Sequence, residues 1–394
     1  MYRSVLVSIA FAALACKGSA TNSASAASTN HTDSTTQTAS NVSTSDTSTG
    51  VTGPTSTTAG AATGSAATVP ATNPGTSAGP GVSAATASSP SAPAAPNPSR
   101  VPNEMGRIMV LEYHLITDHN GLYARERGQF RKDLEFLYSR GYRPVNMADV
   151  LDKNLNLPKG ISPVVFVFDD ASPEQFRYID NNGKLEIDPT SGIGIWLDFK
   201  KTHPDWANKG VFCLLNGASA GHNFFGDRGV QGQKSQWRFQ KVKWLADNGF
   251  ELCDHTLWHA QLSKYPDAFV QEQIARNVLG IDSAVPGYKI REMALPQGLW
   301  PKNRALASKG SWTDPKSGKT VSYSWPVVFE VDGGPMRSPY DPAFNPGSTP
   351  RIQVIGNAIE SNVAKLEGSG NAYISDGNPS VVARPAALPA TAKK

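Results

Sequence analysis

Two short stretches of this chain hold side chains that could do chemistry together. The first is Asp254-His255-Thr256-Leu257-Trp258-His259, with imidazoles at i and i+4. If the residues after Cys253 start a helical turn, both rings project to one side and can share a metal ion. The second is Asp169-Asp170, two acids that end the apolar run PVVFVF at residues 163–168. An isolated H-x-x-x-H is more often a pair of surface side chains. Two acids closing a buried strand change that reading, because they are costly unless paired or ligating. Their side chains point in different directions, so one can hold a cation while the other approaches a bound water. A divalent ion with two imidazoles and one carboxylate keeps open positions for water and a substrate oxygen.

These residues need strands to present them. Apolar runs predict strands at 107–113, directly before His114, at 163–168, at 210–215 and at 250–253. Further strands are expected at 289–294, leading into Leu295-Pro296-Gln297-Gly298, and at 321–331, with a weak strand-turn at 145–150. Phe130, Leu134, Leu137 and Tyr138 recur at helical spacing ahead of Gly141, and helices are also expected at 194–201, 235–247, 267–279 and 302–308. Residues 176–187 read as a hairpin turning at Asn181-Asn182-Gly183. Repeated strand-then-helix units argue for an α/β fold with a parallel sheet closed into a (β/α) barrel. His114, Asp169-Asp170, His255 and the Pro296 loop all follow predicted strands, and barrels carry their chemistry at the carboxyl ends of strands. The Pro- and Gly-rich stretch past Asp332 has no assigned role; it closes the barrel or covers the groove.

Composition divides the chain. It has 394 residues, a net charge of +4 and only 18% charged residues. From Thr21 to Arg100, 51 of 80 residues are Ser, Thr or Ala, the only charges are Asp33, Asp46 and Arg100, and no aromatic residue occurs. Such a segment cannot bury enough apolar surface to offset its ordering entropy, so a disordered tether is expected over 17–103. Its mean reach is roughly 50 Å. The 291 residues from 104 to 394 are 22% charged, an ordinary globular value, and are expected to form one folded domain, with its core at about 107–331. Their charge balance is too weak to imply nucleic acid as a partner. Residues 1–16 read as a signal peptide: Arg3, then an apolar run too short to span a bilayer. Its end, Ala13-Leu14-Ala15-Cys16, resembles a lipoprotein cleavage box, making Cys16 the lipidation site; plain cleavage near Ala15 or Ala20 is the alternative. The expected location is therefore the cell envelope, lipid-anchored at the outer membrane or cell surface, or else secretion. Cys213 and Cys253 fall in strands that could be neighbours; they could form a disulfide or stay free buried thiols, with free thiols favoured.

Phe168-Asp169-Asp170-Ala171 and His255-Thr256-Leu257-Trp258-His259, in this order, resemble the first two motifs of the polysaccharide deacetylases, the NodB-homology family or carbohydrate esterase family 4. The resemblance covers most of 107–310 and implies a distorted (β/α) barrel of the NodB-homology type. It departs at Ala171, where the family has Gly. Carried over, it makes Asp170, His255 and His259 the metal ligands, most simply for zinc, with nickel or cobalt as alternatives. Asp169 becomes the general base. Pro296-Gln297-Gly298 is similar to the family's Pro-Tyr-Gly motif, whose backbone N–H helps hold the oxyanion, here that of Gln297. The family's Arg two places before that Pro is replaced by Ala294, so the group orienting Asp169 is unidentified, with Arg291 a candidate. No His follows His259, but Leu111-Glu112-Tyr113-His114 resembles the Tyr-His motif of the biofilm poly-N-acetylglucosamine deacetylases, which makes His114 the acid that protonates the departing amine. Trp300 is a candidate sugar platform, whereas Trp258 fits core packing as readily. His31, His119, His203 and His222 have no such support. The implied activity is metal-dependent deacetylation of an N-acetylated polysaccharide by a monomer. The rivals are an O-acetyl glycan esterase on the same fold and a catalytically weak carbohydrate-binding protein.

Overall fold

A computed structural model describes residues 99–217 and 223–385. The signal segment, Cys16, His31, nearly all of the tether and His222 lie outside the described residues. In chain order the elements are β1 (Met109–Tyr113), β2 (Leu115–Thr117), β3 (Ala124–Glu126), α1 (Arg127–Ser139), β4 (Tyr142–Pro144), α2 (Met147–Leu151), β5 (Ser162–Phe168), β6 (Tyr178–Asn181), β7 (Lys184–Ile187) and α3 (Gly192–Thr202). They continue with β8 (Val211–Leu214), α4 (Arg238–Asp247), β9 (Glu251–Asp254), α5 (Asp267–Ala284), β10 (Glu292–Ala294), β11 (Lys309–Thr313), β12 (Thr320–Ser324), β13 (Val327–Gly333), β14 (Thr349–Gln353) and α6 (Ala358–Gly368). Among the described residues, no helix is long and apolar enough to cross a membrane.

Seven parallel strands form a closed ring in the order β1, β14, β13, β10, β9, β8, β5, with β5 pairing back to β1. The short β4 adds to the free part of the β5 edge. This is the barrel expected from the alternation of elements, with helices outside. Side-chain parity explains its two apolar layers. Val110, Val165, Val167, Val211, Cys213, Cys253, Ala294, Val327 and Phe329 pack on one another across the interior. The intervening Leu111, Phe166, Phe168, Phe212 and Leu252 face the helices, where they meet Phe130, Leu134 and Leu137 of α1. Gly141, at φ 79, ends the α1 region in a left-handed conformation that side chains resist.

Several local expectations need correction. The expected strand-turn at 145–150 is mostly the helix α2, Met147–Leu151, which Asn146 and Asp149 start with a reciprocal capping box. Residues 302–308 contain only a 3-10 turn, Arg304–Ala307. The expected strand at 321–331 is two strands, divided at Trp325-Pro326: β12 pairs antiparallel with β11, and only β13 joins the barrel. Proline has no N–H to continue a ladder. Cys213 and Cys253 are directly opposed on neighbouring strands, 4.2 Å apart at Cα, and form a disulfide rather than free thiols. The stretch past Asp332 closes the barrel, since β14 fills the gap between β13 and β1.

Candidate active site

The interior parity that stacks Val110, Val167 and Cys253 continues to the carboxyl ends of the strands. There it points Glu112, Asp169 and His255 into one layer, and β14 adds Arg351. All four side chains are buried. The N–H of Asp169 donates to the Tyr113 carbonyl at 2.9 Å. Gln175 Nε2 donates to the carbonyls of His114 at 2.7 Å and Asp169 at 2.6 Å, tying the ends of β1 and β5 together. Asp170 and Ala171 follow with φ of 75 and 47. This left-handed turn swings the Asp170 carboxylate away from that of Asp169. It also explains a preference for Gly at position 171, where an alanine bears a cost of roughly 1 kcal/mol.

The loop after β9 is not the helical turn expected from the i, i+4 spacing, because Thr256 and His259 have φ of 68 and 65. Asp254 builds it instead. Its carboxyl accepts from the Thr256 N–H at 2.8 Å and from Asn277 Nδ2 at 3.1 Å, and burial raises its pKa to about 7. The histidines still converge, with ring centroids 4.9 Å apart. His255 Nδ1–H donates to the Ala294 carbonyl at 2.9 Å, which turns Nε2 toward Asp170 Oδ1 at 3.3 Å. His259 Nε2 lies 3.6 Å from the same oxygen. Burial works against a charge on His255, but Asp169 and Asp170 outweigh it and hold its pKa at about 9. Burial, with His255 alongside, lowers His259 to about 4, leaving a neutral ring with a lone pair. One oxygen of Asp170 and one nitrogen from each histidine lie within 4.8 Å of one another, a donor set that suits a divalent cation with open positions.

Arg351 is the residue that sequence reasoning missed. Fully buried, it donates from Nη1 to Asp169 Oδ1 at 2.9 Å, lies 3.3 Å from Glu112 Oε1 through Nη2, and donates from Nε to the Glu330 carbonyl at 2.5 Å. Burial opposes ionisation of Asp169, but Arg351, then His255, outweighs it and holds the carboxyl below its ordinary range. Arg291, the candidate for this task, is elsewhere: both its terminal nitrogens pair with Asp152 on the surface, at 2.7 and 2.8 Å. Glu112 is the second omission, although one acid in an otherwise apolar strand was a visible signal. Burial raises it to about 8 against the pull of Arg351, and its Oε1 lies 3.6 Å from His114 Nε2.

Glu112, Asp169, Asp170, His255 and His259 line one cavity of about 470 Å³, which also takes in His114 and Gln297. His114 is mostly buried, and burial lowers its pKa against the raising effect of Asp169 and Asp170. Gln297 has φ 58 in the turn Pro296–Gly298, and its backbone N–H is not used by any hydrogen bond among the described residues. Trp300 does not line the cavity. Its Nε1–H donates to Glu330 at 3.1 Å, and the Arg304 guanidinium covers its face at 3.6 Å.

Fold and site together define a (β/α) barrel with a carboxylate–histidine cluster at the carboxyl ends of its strands. Residues 209–310, the segment carrying both histidines and the Pro296 turn, match the polysaccharide deacetylase family model, and the barrel is of the NodB-homology type. Similar solved structures include the Streptococcus pyogenes deacetylase PplD in complex with acetate, at 16% identity over 66% of this chain and 97% of that one, with a TM-score of 0.45. IcaB from Ammonifex degensii is 19% identical over 66% and 96% of the two chains, with a TM-score of 0.44. A polysaccharide deacetylase from Bacillus cereus is 15% identical over 65% and 69%, with a TM-score of 0.45. No curated protein matches the sequence.

Proposed function

We propose that this chain hydrolyses acetyl groups from an N-acetylated polysaccharide with the help of a divalent cation, zinc in the first instance. The observation that carries this reading is the convergence of two sets in one cavity: the donors Asp170, His255 and His259, and the proton-handling groups Asp169 and His114. A cation held by the three donors would supply Lewis acidity toward the acetyl oxygen and make water a better nucleophile near neutral pH. Asp169, kept charged by Arg351, takes the proton of the attacking water. The Gln297 N–H donates to the developing oxyanion. His114 delivers a proton to the leaving nitrogen. That last role favours an amide over an ester, because an amine departs poorly without a proton whereas an alkoxide is better able to leave. In this reading the signal segment and Cys16 export the chain and anchor it by lipid to the envelope, where the tether lets a monomer sweep a fixed or secreted glycan.

The test is acetate release from chitooligosaccharide, peptidoglycan and acetylxylan by zinc-loaded protein, with and without chelator. Release from an N-acetylated glycan that stops on chelation and returns with zinc is expected. Asp169→Asn should abolish turnover with zinc still bound, whereas Asp170→Asn should weaken both. A folded protein that binds no zinc and releases no acetate from any of the three would end the proposal.

A further inference from the structure

The two parts of the donor set lean on a strand that contributes no donor. Thr256, His259 and Asp170 stand at φ of 68, 65 and 75, conformations that side chains resist, so their neighbours must impose them. β8 supplies those neighbours, since it lies between β5, which leads into Asp170, and β9, which leads into His255 and His259. On the β9 side, the Leu214 carbonyl accepts from the His255 N–H at 3.2 Å and from Asn277 Nδ2 at 2.8 Å. The N–H groups of Asn216 and Gly217 donate to the Leu257 carbonyl at 3.2 and 2.6 Å. On the β5 side, Phe225, in the segment after β8, donates its N–H to the Ala171 carbonyl at 2.8 Å.

β8 and β9 are four residues long each, so few ladder bonds fix one against the other. Register is what matters here, because a slip of one residue would carry the histidine loop about 3.3 Å along the strand and turn its side chains to the other face. A metal site tolerates roughly 0.2 Å. The Cys213–Cys253 bridge makes that slip impossible. It joins directly opposed residues in the buried interior layer, and the next pair along, Leu214 and Asp254, is the one from which the histidine loop departs. Chain entropy depends on the length of the closed loop and not on where the bridge falls, so its place beside the donor loop calls for a local reason.

We propose that the Cys213–Cys253 bridge is a positioning element of the cation site: it holds β9 in the register that brings His255 and His259 to Asp170, so that tight zinc binding and turnover belong to the oxidised chain. Turnover enters through the deacetylase reading, on which that part of the inference rests; the zinc part stands on the donor geometry. Closing the bridge takes two electrons and two protons from the thiols and passes them to a disulfide donor, a small molecule or a thiol–disulfide oxidoreductase, which is reduced to thiols in turn. Both sulfurs are fully buried in the folded chain, so the exchange belongs to folding and not to the native state.

The experiment compares the oxidised full chain with Cys213→Ala/Cys253→Ala and with Cys213→Ala/Cys253→Val, which returns the lost sulfur volume without the link and guards against a protein that fails to fold. Leu366→Ala, a truncation in the outer apolar layer at α6, is the control for lowered stability away from the site. Zinc affinity is read by competition with a chromophoric chelator and turnover by acetate release, both well below the unfolding midpoints. Each bridge-free protein should bind zinc at least about tenfold more weakly, and at saturating zinc its kcat should fall at least about tenfold with KM little changed. Leu366→Ala should keep both within about threefold of wild type. A folded bridge-free protein with zinc affinity and kcat within about threefold of the oxidised chain overturns the inference, and so does a Leu366→Ala protein that loses as much. If the oxidised chain binds zinc but releases no acetate from any glycan, the deacetylase reading fails while the zinc comparison still decides the role of the bridge.

Discussion

Replacing Arg351 by methionine should separate holding the base from holding the cation. The guanidinium lies 2.9 Å from Asp169 Oδ1 and 3.3 Å from Glu112 Oε1, with all three side chains buried. At an effective dielectric of ~20, unit charges that close attract by roughly 6 kcal/mol, and their desolvation offsets part of this. Removing one partner from a buried pair typically costs about 3–5 kcal/mol, because the other charge is stranded. A folded Arg351→Met protein relieves that strain by protonating Asp169, and a protonated carboxyl cannot take a proton from water. General base catalysis contributes about 10²–10⁴-fold, so kcat should fall by at least ~10²-fold. Zinc content should stay near the wild-type level, because the ion pairs of Arg351 go to Asp169 and Glu112 and not to the donor set. Arg351→Lys should restore folding better than turnover, since an ammonium cannot span both carboxyls as the planar fork does. Urea unfolding, acetate-release kinetics and zinc analysis on the same preparations read all three quantities. A folded Arg351→Met protein with kcat within about threefold of wild type would refute the assignment of Arg351 as the group that orients the base.

Two further outcomes concern stability. Lys241 is buried with its ammonium on the Phe225 carbonyl at 2.6 Å, and burial, with Arg177 nearby, lowers its pKa from the ordinary 10.5 to about 7. The folded form therefore binds fewer protons than the unfolded chain between those values, so stability rises with pH across that window and falls as pH drops through it, the loss being complete near pH 7. Unfolding free energy should gain roughly 2 kcal/mol from this group between pH 7 and 9, and Lys241→Met should flatten that slope in urea titrations; equal slopes would count against it. The Cys213–Cys253 bridge closes a loop of 40 residues, for which chain entropy predicts ~4 kcal/mol of stabilisation. The Cys213→Ala/Cys253→Ala protein should lose most of that in the same assay and become indifferent to reductant.

What was legible in the sequence follows from where each signal resides. The buried run of β5 and the two acids after it needed only local pattern, as did the Tyr113-His114 strand end. The i, i+4 histidines were read correctly as neighbours for a wrong reason: Thr256 and His259 are left-handed, and Asp254, anchored by Asn277, bends the loop that a helical turn was expected to form. Residues 145–150 misled because five residues of helix carry too little apolar periodicity, while the capping signal at Asn146 and Asp149 was the better guide.

Arg351 shows the limit of local pattern. Its strand, Thr-Pro-Arg-Ile-Gln, has one strongly apolar residue, and the carboxylate it serves lies 182 positions earlier. A fully buried arginine in such a segment makes sense only opposite Asp169 and Glu112, two acids that would otherwise share an uncompensated interior. The ring order explains why the charge can come from the far end of the chain. β14 and β5 are the two neighbours of β1, so the Arg351 cation on one pairs both with Glu112 of β1 and, across that single strand, with Asp169 at the end of the other. In a closed barrel the end of the chain is as near to the site as its middle. The charge that faces Asp169 therefore comes from β14, while Ala294 on β10 contributes only its carbonyl, which fixes the His255 ring.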